Sequence, residues 1–132
     1  VATEAEPSPF QELPASEALA KARELSLHGK LTEEALRTAA QRGETCYAAA
    51  LLAVAAGTSL SVVERASSLR SAKGMVSLVW KAGFTMRVAV ALQTLLARLT
   101  PDAVLRAGPS GGFPLAVEEM RWQFDFLGRM GR

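Results

Sequence analysis

The residue types that reactions use are scarce in this chain of 132 residues: one histidine, one cysteine, two pairs of adjacent carboxylates and one glycine-rich run. His28 would serve as a solitary general base, but a catalytic base also needs a positioned partner. Beside Gly29, its expected role is to support a helix C-terminus and its dipole. Cys46 has no histidine close in sequence and no second cysteine at a CxxC spacing, so it reads as buried and inert. No cysteine or histidine cluster has zinc-ligand spacing. Glu33 and Glu34, like Glu118 and Glu119, are neighbours in sequence. On a helix such neighbours point in different directions and make a solvated face, not an acid–base pair. "GPSGGFP", residues 108–114, lacks the lysine and the preceding strand of a phosphate cradle. It reads as a hinge. No catalytic residue, metal site or cofactor is expected.

The elements that would carry these residues are helical. Apolar residues make up 49% of the chain but aromatics only 6%, and alanine and leucine dominate. Such a composition favours helices over strands. Ser16 is placed to cap a helix running to about Leu27, and Thr32 opens a second, with Glu33 and Glu34 at its positive end, that closes at Gly43. A third runs from Glu44 to Gly57 with Tyr47, Ala50, Leu51 and Val54 on one stripe. Ser59 caps a fourth, carrying Leu60, Val63 and Ala66. A fifth, from about Ala72, gathers Met75, Leu78 and Val79 and ends at Gly83. Thr85 caps the sixth, with Val88, Leu92, Leu95, Leu96 and Leu99 as its apolar face. Thr100 and Pro101 are read as the start of a brief helix, followed by the glycine-rich loop and a last helix from Pro114 to about Leu127. Val117, Met120, Phe124 and Leu127 form one stripe of that helix, while Leu115, Trp122 and Phe126 lie off it. Trp80 reads as core.

The recurring punctuation is helix, glycine, hydroxyl cap, helix. Gly29 and Gly57 are 28 residues apart, and Gly57 and Gly83 are 26 apart. Helical hairpins cannot bury their apolar faces alone, and stacking about three of them makes a continuous core. The expected fold is therefore all-α, with seven or eight helices stacked as antiparallel hairpins in a HEAT-like solenoid. A plain helical bundle is the competing arrangement. Residues 1–14 read as a flexible, acidic, proline-rich arm and residues 15–132 as a single helical repeat domain.

Charge is the feature with functional colour. Residues 1–34 hold seven acids against three bases, and residues 45–106 hold seven bases against two acids. Arg65, Arg70, Lys73, Lys81, Arg87 and Arg98 are the candidate surface for an anionic partner. DNA would call for more bases on contiguous helix faces. Trp122 and Phe126 are the candidate apolar interface, for a second copy of the chain or for a missing N-terminal domain. Nineteen uncharged residues lie between Glu44 and Glu64, close to the roughly 20 that a membrane span needs. Gly57, Thr58, Ser59 and Ser61 break that run, so two buried helices are expected instead. The acidic start has neither part of a signal peptide, and a lone cysteine suits a reducing compartment such as the cytoplasm.

"LHGKLTEEAL", "RGETCYAAALLAVAAG", "AKGMVSLVWKAGFTMRVAVALQ" and "GGFPLAVEEMRWQFDF" together resemble the bacterial family known as domain of unknown function 2336. The likeness spans roughly residues 16–127. It implies a HEAT-like helical domain of the bacterial cytoplasm with no catalytic residues to carry over, here as the C-terminal portion of a longer protein. The function expected is a non-catalytic module that holds a protein or peptide, an acidic one on the basic segment. Two alternatives stay open: an enzyme subunit whose site a partner completes, and a nucleic-acid-binding helical repeat.

Overall fold

Residues 14–130 are described in the computed structural model of the chain. They form seven helices: α1 (Ala15–Leu27), α2 (Glu33–Gln41), α3 (Thr45–Ala56), α4 (Leu60–Ser68), α5 (Ala72–Ala82), α6 (Met86–Leu95) and α7 (Val117–Met130). Among the described residues there is no strand. The expected N-terminal arm, apart from Pro14, and the last two residues lie outside the described range.

The alanines of α3 decide where the centre is. Ala48 to Ala53 are buried one after another, because α1, α2, α4 and α5 all pack against this helix. A helix apolar all round must be enclosed, and small side chains let several backbones approach it at once. Packing then passes along the odd-numbered helices, α1 to α3, α3 to α5 and α5 to α7. The crossing of α5 and α7 is close. A Cβ on Gly74 would stand 3.2 Å from Leu127 Cδ1.

The all-helical class, with about seven helices among the described residues, is as the sequence predicts. The arrangement is less one-dimensional than a solenoid of hairpins, in which each unit meets only its neighbours. Here α2, from the first expected hairpin, packs on α6, from the third. The contact is specific. Glu33 Oε1 accepts the backbone N–H of Thr85 at 3.1 Å, and Glu33 Oε2 accepts the Thr85 hydroxyl.

Most expected caps stand. Thr32 accepts from the Ala35 N–H and Thr85 from that of Arg87. Gly57 and Gly83 turn left-handed, with φ of 71° and 83°. Four details differ. Ser16 lies inside α1, which Pro14 precedes, so no side chain caps it. Ser59 sits at the N-cap of α4, but its hydroxyl meets that of Ser61 and caps nothing. Thr100 to Ala103 form a turn closed by Ala103 N–H on the Thr100 carbonyl at 2.9 Å, not a helix. The last helix starts at Val117, three residues after Pro114. No helix among the described residues is long and apolar enough to cross a membrane, since the uncharged run is divided between α3 and α4 at Gly57.

Candidate functional site

His28, Cys46 and the carboxylates do not come together. His28 is the exposed C-cap of α1. Cys46 is half-buried in the first turn of α3. Glu34 pairs with Arg37 at 3.2 Å along α2, Glu33 is occupied by Thr85, and Glu119 accepts from Gln123. Among the described residues no three histidine, cysteine or acidic side chains are grouped to hold a metal ion. Tyr47 lies under the Lys21 ammonium, 4.9 Å from its ring centre. Burial, and then the neighbouring Glu44, push its phenol above the ordinary 10.0, so it stays protonated at neutral pH. The glycine-rich run folds into a tight turn, with the Gly108 N–H on the Gly112 carbonyl at 2.9 Å. It leads into α7.

The six candidate cations of the basic segment separate into four groups. Lys73 and Lys81 face α7: Lys73 Nζ is 3.8 Å from Glu119 Oε2, and Lys81 Nζ is 5.6 Å from the Phe124 ring centre. Arg65 is half-buried on α4, its Nε enclosed without a hydrogen bond. Arg87 is exposed in the first turn of α6. Arg70 and Arg98 are brought together. Both line a cleft of about 620 Å³ between the start of α3, the length of α4 and the segment after α6.

Arg70 and Arg98 share a second property. Both are left-handed, with φ of 52° and 56°. Outside glycine this conformation costs roughly 1–2 kcal/mol, because Cβ crowds the following carbonyl. Arg70 N–H bonds the Ser67 carbonyl and Ser71 N–H that of Ala66. Gly57 and Thr58 make the same pair of bonds at the end of α3. No sequence signal marks Arg70 as a cap, since glycine is the residue that announces this turn.

The two aromatics of α7 are the other exposed feature. Trp122 and Phe126 stack at 5.0 Å between ring centres with 7° between their planes. They remain 53% and 37% exposed, so they belong to the surface and not to the core. Met120 and Leu127, from the expected apolar stripe, do reach the core, Phe124 packs half-buried against it, and Val117 is left exposed. Trp80 is half-buried against the core. Comparison with protein families, with curated proteins and with solved structures finds no match.

Proposed function

We propose that this chain is a non-catalytic protein-interaction module, and that its docking element is the outer face of α7, which pairs with a second copy of itself. The observation that carries the reading is the exposed Trp122–Phe126 stack. Two large rings held in water lose the burial that such side chains supply at interfaces, and aromatic anchors of this kind dominate binding energy where they are desolvated. The charges beside the stack favour a copy of the same helix. Glu118, Trp122, Asp125, Phe126 and Arg129 are exposed and follow the helical spacing of one face, with exposed Arg121 at its edge. Laid antiparallel on a two-fold axis, the face sets Glu118 against Arg129 and Arg121 against Asp125, with the rings at the centre. A two-fold interface requires such self-complementarity.

Sedimentation equilibrium tests this. The parent chain should associate with concentration, while Trp122→Ala and Phe126→Ala should stay monomeric with unchanged helical circular dichroism. Arg129→Glu should weaken the dimer, and adding Glu118→Arg should restore it. A parent that remains monomeric to millimolar concentration overturns the reading.

The resemblance to the family of helical domains described above fits a module with no chemistry of its own. The segment running from Arg65 to Arg98 supports an anionic partner less as a continuous face than through Arg70 and Arg98, because α7 engages Lys73 and Lys81.

A further inference from the structure

Each of the first six helices is followed by one left-handed residue. Four are glycines, Gly29, Gly43, Gly57 and Gly83, and two are arginines, Arg70 and Arg98. The two exceptions line the same cleft. Strained backbone persists where the surroundings over-determine it, and it gathers at functional sites. Among the described residues neither guanidinium has an ion pair or a hydrogen bond, although Glu64 lines the same cleft. Two cations are thus presented to one space and left unneutralised.

We propose that this cleft binds a small phosphate monoester bearing hydroxyl groups, of the sugar phosphate or nucleoside monophosphate class. A single planar guanidinium already matches the two oxygens of a carboxylate, whereas two of them suit the three terminal oxygens and double charge of a phosphate monoester. Ser68 and Thr45 also line the cleft, and the Thr45 hydroxyl, which donates to the Gly43 carbonyl at 3.4 Å, keeps its lone pairs. Thr45 opens α3, a helix of 12 residues, so the positive end of its dipole adds to the arginines. Glu64 opposes a purely acidic ligand but accepts from sugar hydroxyls. Leu60 and Leu96 give the organic body an apolar wall. A cleft of about 620 Å³ is of the size that admits one small molecule. The proposal rests neither on the α7 aromatics nor on self-association.

Isothermal titration calorimetry of the whole chain with ribose 5-phosphate and AMP, against ribose and inorganic phosphate as controls, tests the assignment. The two phosphate esters should bind, ribose should not, and inorganic phosphate should bind at least about tenfold more weakly. Arg70→Gly and Arg98→Gly are the informative variants, since glycine keeps the left-handed turn while removing the guanidinium. Both should fold as the parent does and each should lose about tenfold or more in affinity for the esters. Glu64→Gln should weaken ribose 5-phosphate and strengthen inorganic phosphate, whose charge Glu64 opposes. The proposal is overturned if neither ester binds at millimolar concentration, or if the glycine variants bind as tightly as the parent, in which case the arginines only close their helices. Unchanged ribose 5-phosphate affinity in Glu64→Gln overturns the sugar half of the assignment. A phosphoserine peptide that binds in preference to both esters would move the site to a partner protein.

Discussion

Gln93 shows how much a single side chain decides in this fold. It is fully buried in the last turn of α6, where an amide needs partners for both of its ends. The backbone of Leu105 supplies them: Gln93 Nε2 donates to the Leu105 carbonyl and Gln93 Oε1 accepts the Leu105 N–H, each at 2.8 Å. The amide thereby mimics a strand partner and pins the long connection between α6 and α7. Gln93→Leu keeps the volume but leaves Leu105 with an unpaired donor and acceptor. It should lower stability in urea denaturation by roughly 1–3 kcal/mol. An unchanged midpoint would mean that water replaces the clamp without loss. Arg70 and Arg98 belong to the same scale, because each pays in backbone strain for a position that glycine would fill more easily.

At the scale of elements, the packing of α7 on α5 depends on a missing side chain. Gly74 lies in the first turn of α5, where its N–H bonds the capping hydroxyl of Ser71 at 2.9 Å. A Cβ there would meet Ser71 Oγ at 2.9 Å, Ser71 Cβ at 3.1 Å and Leu127 Cδ1 at 3.2 Å. Alanine is the better helix former by about 1 kcal/mol, but overpacking costs typically 1–3 kcal/mol, and the crowded atoms here include the cap itself. Gly74→Ala is therefore expected to destabilise. Gly128, in α7, is the matched control, since a Cβ there meets nothing within 4 Å. Gly128→Ala should raise stability by a few tenths of a kcal/mol to about 1. Thermal unfolding of the pair, run side by side, checks that the same substitution changes sign with its neighbours.

For the whole molecule, the contact between α2 and α6 matters most. It links the first expected hairpin to the third, so the chain closes on itself where a stack of hairpins would stay open at its ends. An open array frays from its terminal units, whereas a closed one loses its parts together. Glu33 is the visible tie, with one carboxylate serving the backbone and the hydroxyl of Thr85. Glu33→Ala should cost about 0.5–2 kcal/mol, the range of a lost helix cap. Native-state hydrogen exchange should show amides of α2 and α6 losing protection together. Loss confined to α2 would mean that the hairpins behave as independent units.

What the sequence determined by itself is what short-range physics determines. Glycine at Gly57 and Gly83, and threonine at Thr32 and Thr85, encode helix ends through the conformations and hydrogen bonds of a few adjacent residues, so they are legible without a fold. The same locality made Met120 and Leu127 recognisable as core. Only the tertiary structure decided which surfaces result. Arg70 and Arg98 stand 28 residues apart in the chain and meet at one cleft because α4 and α6 end beside the start of α3. Lys73 and Lys81 look like their equals in sequence, yet α7 engages both. Trp122 and Phe126 lie off the apolar stripe in sequence, and the packing of α7 on α5 through Leu127 leaves both rings exposed. Side-chain exposure and charge pairing depend on neighbours tens of residues away, and helical periodicity carries no record of which neighbours those are.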